Sequence, residues 1–357
     1  MVGVTKAYIN AIATAVPDYE VHSRFDDFAR RQITDRRQSI LHRMSQRSGI
    51  ERRYSVLEPS PAAGDPVALD HNRVFKIGAF PSTAERMRIY DREAAALAER
   101  AVRALPAGDV AGVTHLIVTS CTGFAAPGVD LQLLQRLGLP LTTKRTMVGF
   151  MGCYAAINGL RLAEAIVSAD EAASVLVVSV ELCTIHLQET DDLEVVLSFM
   201  VFGDGCAAAL VTAKPTGFRI EGFDTTLMPA ANDLITWHIG ESGFDMRLSG
   251  EVPATLGAAL PDAVETMVPG GATAVDLWAI HPGGRSVLDA AERALALPGD
   301  ALASSRRVLR EYGNMSSPSV SFVMADMLAG KPAAGATGLA LAFGPGLTCE
   351  GMRFRVA

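Results

Sequence analysis

The chain has 357 residues, 49% apolar and 20% charged, with a formal net charge of −7. It reads as globular, large enough for one extended core or two fused domains, and its acidic balance argues against a general affinity for nucleic acid or an anionic membrane surface. The longest apolar runs, ASVLVVSV and GLALAFG, are strand-sized, short of the roughly 18 residues of a membrane span, and the N-terminus lacks a charged segment followed by a long apolar one, so a cytoplasmic location is expected.

In chain order, EPSPAAGDPVALDHN (58–72) reads as an exposed loop. Strand-like and helix-like patterns then alternate: THLIVTS (114–120), DLQLLQRLG (130–138), TMVGFM (146–151), YAAINGLRLAEAIVSA (154–169), ASVLVVSVEL (173–182) and CAAALVTA (206–213). Residues 219–256 mix strand alternation with turn signals, which suggests a strand-rich pocket wall. A second series follows MVPGGATA (267–274): VDLWAIHP (275–282), RSVLDAAERALAL (285–297), ALASSRRVLREYG (301–313), SPSVSFVMADMLA (317–329), TGLALAFGPG (337–346) and GMRFRV (351–356). Alternation on this scale predicts an α/β fold in two similar halves, 1–213 and 214–357.

Five cysteines, at 121, 153, 183, 206 and 349, lie far apart without a CxxC pair or a histidine at zinc-ligand spacing. No metal site is expected. Cys153 has the most telling context: a strand with Gly149 and Gly152 precedes it, and a helical pattern of about four turns follows, so unpaired backbone N–H groups would favour its thiolate. Inert packing is the ordinary alternative for a cysteine. His281 ends a buried strand before Pro282, Gly283 and Gly284, at the strand end where α/β folds bind ligands; a satisfied core histidine is the alternative. Asn314, in YGNMSSPSVSF, has a local explanation as a turn residue before a capped helix. Together, a thiol, an imidazole and a carboxamide at glycine-flanked element boundaries make a machine for acyl transfer and carbon–carbon bond formation.

The segments IERRYSVL (50–57), THLIVTSCTGFAAPGVDLQLLQRLGL (114–139), GCYAAINGLRLA (152–163), SFMVFGDGCAAALV (198–211), WAIHPGGRSVLD (278–289), GNMSSPSVSFVM (313–324) and LAFGPGLTCEG (341–351) resemble the type III polyketide synthases of the chalcone and stilbene synthase superfamily, and the 33 residues from His281 to Asn314 match the family spacing. The resemblance implies a thiolase-like fold: two duplicated βαβαβ-type halves with mixed five-stranded sheets in an αβαβα layering. It implies a homodimeric acyltransferase that needs no cofactor beyond coenzyme A thioester substrates. Cys153 would take a starter acyl group from an acyl-CoA, paired with His281 as an ion pair, and His281 and Asn314 would stabilise the enolate from malonyl-CoA.

By the same resemblance, Phe218 and Met246 would gate the cavity, with Met246 standing where the family has an aromatic. Cys183, Trp237, Ser316, Gly344 and Pro345 would shape the cavity, and Arg43 and Arg47 would hold coenzyme A phosphates. Ala126 replaces a larger residue that in plant relatives crosses the dimer interface. Trp237 directs attention to alkylpyrone and alkylresorcinol synthases, which use long acyl starters and are the favoured reading, whereas Cys183 resembles bacterial tetrahydroxynaphthalene synthases, which use malonyl-CoA alone. A 3-oxoacyl-[acyl-carrier-protein] synthase III is the nearest rival, and an inactive acyl-binding homologue is the rival from another class. A biosynthetic thiolase would need a second cysteine where Phe343 stands, and hydroxymethylglutaryl-CoA synthase a catalytic glutamate that has no evident counterpart.

Overall fold

The computed structural model describes residues 5–33, 36–61, 67–106 and 110–357; the middle of the expected 58–72 loop, residues 62–66, lies outside them. The first half runs β1 (Tyr8–Ala15), β2 (Tyr19–Glu20), α1 (His22–Gln32), α2 (Arg36–Arg47), β3 (Tyr54–Ser55), α3 (Thr83–Arg103), β4 (His115–Ser120), α4 (Val129–Leu137), β5 (Lys144–Gly149), α5 (Ala155–Ala169), β6 (Val175–Leu182), α6 (Leu193–Val201) and β7 (Asp204–Thr212). The second runs β8 (Phe218–Leu227), β9 (Ile235–Gly240), β10 (Gly243–Leu248), α7 (Val252–Met267), β11 (Leu277–Ile280), α8 (Arg285–Ala294), α9 (Ala303–Tyr312), α10 (Pro318–Ala329), β12 (Thr337–Gly344) and β13 (Thr348–Val356).

Among the described residues nine strands form one mixed sheet, ordered β11-β12-β13-β8-β1-β7-β6-β4-β5. The duplication is visible in its senses. β4 and β6 are parallel while β6–β7 and β7–β1 are antiparallel; likewise β11 and β12 are parallel while β12–β13 and β13–β8 are antiparallel. The expected pair of five-stranded sheets is thus five strands and four, joined where Tyr8 and Ile9 of β1 meet Arg219 and Phe218 of β8. The counterpart of β5 is reduced to a single bridge between Asn314 and Phe202.

The layering follows from which elements carry charge. Every residue of β6 is buried, so both its faces must be covered. α5 and α10 supply the middle layer: Ile157, Leu160, Val320 and Val323 share one core with Val177 of β6, Ala340 of β12 and Met352 of β13. A side chain at Gly159 would meet Thr119 and Val177 at 3.0 Å, so this glycine lets α5 lie close on the sheet. α3, opened by a reciprocal Ser82–Glu85 capping box, covers the outer face of the first half, and α7 and α8 cover that of the second. No helix among the described residues is long and apolar enough to cross a membrane.

Candidate active site

Equivalent ends of the two halves supply the site. β4 leads into Cys121 as β11 leads into His281, and the turn before α5 carries Cys153 as the turn before α10 carries Asn314 and Ser316. The sequence Gly152–Tyr154 forms a tight 3-10 turn ahead of α5. Gly152 has φ +75°, and a Cβ there would lie 2.4 Å from Pro345 Cδ, so only glycine passes under the FGPG loop. From the other side, a Cβ on Gly344 would press on the Tyr154 ring at 2.7 Å and approach the Cys153 N–H at 3.4 Å. Of the five cysteines four are buried, and Cys153 is the one that is partly accessible.

Ser316, a non-glycine residue at φ +60°, and Asn314 both reach the Cys153 sulfur through their side chains. The Ser316 N–H donates to Asn314 Oδ1 at 2.8 Å, which fixes the amide so that Nδ2 faces the Gly283 carbonyl at 3.3 Å and the sulfur. His281 is buried beside Gly283, and neither of its ring nitrogens has a hydrogen-bond partner. Burial alone drives its pKa down to about 3, so the imidazole is neutral, with one N–H and one lone pair unpartnered and shielded from solvent.

The expected thiolate–imidazolium pair does not describe the free protein. Burial pushes the Cys153 thiol up to about 11, the Glu181 carboxylate adds to the rise, and the bonds from Ser316, Asn314 and its own N–H only partly offset it. Here the low-dielectric site outweighs the helix-terminal N–H groups.

Glu181, which the sequence reading passed over inside the run ASVLVVSVEL, is fully buried next to this centre. Its carboxylate accepts from Ser317 Oγ at 2.6 Å, Thr122 Oγ1 at 2.7 Å, the Cys121 N–H at 3.0 Å and Cys121 Sγ at 3.1 Å. Burial raises its pKa, and these donors oppose the rise. An acidic residue in an otherwise apolar strand was the available signal.

Cys153 faces a narrow cavity of about 40 Å³ whose wall includes Cys121, Cys183, Trp237, Met246, Ser316 and Pro345. Trp237 and Met246 are cross-strand partners on the β9–β10 hairpin. Phe218 is not in this wall: it is fully buried in the middle layer, its ring tilted against that of Phe354 at 4.6 Å between ring centres. Phe202, four residues past Ser198 in SFMVFGDG, lines the cavity instead. The assignment failed because both phenylalanines flank β7, and only the bridge from Phe202 to Asn314 tells them apart.

A second, wider cavity of about 650 Å³ is lined by Arg47 and Ser48 on one side and by Gly284, Arg285 and Ser286 on the other. Arg43 does not line it; its Nε turns back to the Ser39 carbonyl at 3.3 Å. Among the described residues no three histidine, cysteine or acidic side chains cluster as a metal site.

The N-terminal domain of chalcone and stilbene synthases matches residues 2–215 and their C-terminal domain residues 220–357. The chain is 33% identical to the alpha-pyrone synthesis polyketide synthase-like Pks18 of Mycobacterium tuberculosis, over 99% of this chain and 92% of that protein. It is 32% identical to bisdemethoxycurcumin synthase of Oryza sativa subsp. japonica, over 97% and 91%. Among solved structures, PKS-I of the brown alga Ectocarpus siliculosus superposes with a TM-score of 0.88 at 29% identity over 99% of both chains. CsyB complexed with CoA-SH shares the fold, with a TM-score of 0.86 at 21% identity over 98% and 100%. With both of its halves matched, this chain belongs to the chalcone and stilbene synthase family of thiolase-like condensing enzymes and is a type III polyketide synthase.

Proposed function

We propose that the enzyme loads an acyl group from a coenzyme A thioester onto Cys153, extends it with malonyl-CoA and closes a short chain to an α-pyrone. The carrying observation is the neutral, buried His281, whose two unpartnered nitrogens lie beside the Gly283 that Asn314 also contacts. In loading, the Cys153 sulfur attacks the acyl carbonyl, the new C–S bond replaces the bond to coenzyme A, and the thiol proton passes to the open nitrogen of His281. Malonyl-CoA then presents its thioester carbonyl to an N–H of His281 and to Asn314 Nδ2. As carbon dioxide leaves, these donors meet the enolate oxygen in a dry site, where they act most strongly. The enolate carbon attacks the Cys153 thioester, a carbon–carbon bond forms, and the cysteine leaves as thiolate.

Cavity size supports a short product. About 40 Å³ is close to one water's share of liquid, roughly 30 Å³, so long chains meet Trp237 or Met246 early. A triketide closes when its C5 enol oxygen attacks C1, and the lactone forms as the thiolate departs. The 33% identity to an alpha-pyrone synthesis protein points the same way. We assign the wide cavity between Arg47 and Arg285 to the nucleotide end of coenzyme A, and the Phe202–Met246 pair to the gate. Two copies of the chain would meet along β5, an open sheet edge, with Met147 and Phe124 exposed there.

Mass spectrometry of products tests the reading, using malonyl-CoA alone and with acyl-CoAs of increasing length. Triketide pyrones made from short starters are expected. A pentaketide from malonyl-CoA alone, or turnover only with malonyl-acyl carrier protein, would overturn it.

A further inference from the structure

The motif IERRYSVL places Arg53 just before β3, and the reaction described above gives it no task. Arg53 is completely buried, among the largest side chains so enclosed. Nη1 donates to the carbonyls of Phe199 at 3.1 Å and Phe202 at 2.9 Å, the two that end α6 and turn the chain toward the cavity. Nε donates to His22 Nδ1 at 3.1 Å, and Nη2 has no partner. Among the described residues no carboxylate pairs with it directly; the guanidinium stands over the Phe25 ring at 5.8 Å. Burial lowers the pKa of the guanidinium, outweighing the through-space attraction of Asp26, Glu20 and Asp204, and burying such a cation costs several kcal/mol of desolvation, so general stability is a poor reason for an arginine here. What a planar guanidinium does well is hold several acceptors in one fixed geometry.

Those acceptors belong to the segment that carries Phe202, and that segment is bonded on its other edge to Asn314. The Asn314 N–H donates to the Val201 carbonyl at 2.8 Å, and the Gly203 N–H donates to the Asn314 carbonyl at 2.9 Å. The stem of Arg53 packs into both turns. A Cβ on Gly313 would come within 2.9 Å of Arg53 Cγ, and one on Gly203 within 3.5 Å of Arg53 Cβ. Arg53 therefore touches the residue before Asn314 and the residue after Phe202, while touching neither the cavity nor the sulfur. Its third partner, His22, lines the wide cavity with Arg47 and Arg285.

We propose that Arg53 is a positioning residue: by gripping the Phe199 and Phe202 carbonyls and packing against Gly203 and Gly313, it sets the place of the Asn314 amide relative to Cys153. This rests on the reading of Asn314 as an enolate donor. Misplacing a reacting group by about 1 Å costs roughly 10²-fold, which makes a backbone clamp visible in kinetics.

The test is malonyl-CoA decarboxylation by the full chain carrying Arg53→Lys, Asn314→Ala, or both, with folding checked by circular dichroism. Lysine keeps the charge but cannot span both carbonyls. The expected result is a fall of about 10–100-fold in kcat for Arg53→Lys with KM changed by less than about 2-fold, and no further fall when it is added to Asn314→Ala. Losses that multiply in the double variant, or an unchanged kcat, would overturn the proposal. If Arg53→Lys does not fold, His22→Phe, which removes the Nε acceptor and also alters the wall of the wide cavity, is read at saturating malonyl-CoA in the same two backgrounds: a kcat loss absent from the Asn314→Ala background supports the clamp, and any other result overturns it. Should Asn314→Ala alone leave decarboxylation intact, the reading of the site fails first and takes the clamp with it, whereas a loss with Asn314→Ala and none with Arg53→Lys removes the clamp alone.

Discussion

The indole N–H of Trp237 donates to the carbonyl of Cys121 at 2.9 Å, tying the β9–β10 hairpin to the end of β4 across the mouth of the catalytic cavity. The ring is also held by its neighbours: it meets His186 edge-on at 5.6 Å and Phe244 at 5.7 Å. A tryptophan anchored at its polar end and packed on two sides does not swing freely. It is a fixed wall of the small cavity.

Trp237→Ala should therefore enlarge the space in front of Cys153 and lengthen what the enzyme makes. Product masses from a graded series of acyl-CoA starters check this: longer starters or additional extensions are expected, with malonyl-CoA decarboxylation retained because His281 and Asn314 are untouched. An unchanged product distribution would place the length limit elsewhere. Met246, opposite Trp237 on the hairpin, acts in the other direction. Met is unbranched and repacks easily, so Met246→Phe should narrow the range of starters in the same assay.

The legibility of this site in the sequence depended on where each residue sat. Cys153, His281 and Asn314 stand at the boundaries of apolar elements with glycines beside them, and Gly149, Gly152 and Gly313 among these have a steric task, as Gly152 does under Pro345, whereas a Cβ on Gly284 would meet nothing. The duplicated α/β pattern was readable for the same reason, since its strands are bounded by clear turn signals. Glu181 carries one local mark, its charge inside an apolar strand, but its role and that of Arg53 are not readable, because their partners come from segments far away in the chain. Phe202 and Phe218 have similar local surroundings and differ only in what the sheet brings beside them: Asn314 for one, Phe354 for the other. The single nine-stranded sheet likewise depends on two residue pairs, Tyr8 with Arg219 and Ile9 with Phe218, that periodicity cannot foresee.

The raised Cys153 pKa gives a direct chemical expectation. With a thiol at about 11, only about 10⁻⁴ of it is ionised at pH 7, so alkylation by iodoacetamide should speed up about tenfold per pH unit between pH 6 and 9. A rate profile that is already flat above pH 6 would show the ion pair with His281 to exist in the free enzyme. The contrast matters for mechanism, because a neutral pair moves its proton only when the acyl-CoA arrives.

Separating loading from decarboxylation follows from the geometry of the donors. Cys153→Ala removes the nucleophile and leaves the His281 and Asn314 side chains in place, so malonyl-CoA should still lose carbon dioxide while no condensation product forms. Asn314→Ala should cost decarboxylation about 3–4 kcal/mol, the usual loss for one preorganised donor. Carbon dioxide release and product mass, measured on the same samples, check both. Loss of decarboxylation in a folded Cys153→Ala protein would contradict this division of roles.

Stability should fall as the solution is acidified below about pH 6.5, and two buried histidines with the half-buried His22 are the reason. His281 and His186 are each held down to about 3, and His22 to about 4, in every case chiefly by burial. For a group whose folded pKa lies below its unfolded value of 6.5, the unfolded chain binds more protons between the two values. Its contribution is therefore complete above 6.5 and is lost as pH falls toward the folded pKa, at about 1.4 kcal/mol per pH unit and group. Asp204 and Glu181 work the other way: burial raises Asp204 from 3.8 to about 6 and raises Glu181 above its usual value, so each stabilises the fold as pH falls through its folded pKa. Three groups outweigh two, and the midpoint of thermal unfolding should drop from pH 6.5 to 4.5. His186 offers the cleanest control, since it contributes no catalytic group and its Nδ1 must stay unprotonated to accept the Phe244 N–H. His186→Phe should be less stable than the parent at pH 7.5, where its two hydrogen bonds are lost, yet show a shallower fall with acid. Scanning calorimetry across this range decides the matter: a slope as steep as the parent's would mean that His186 is not among the groups that take up protons on unfolding.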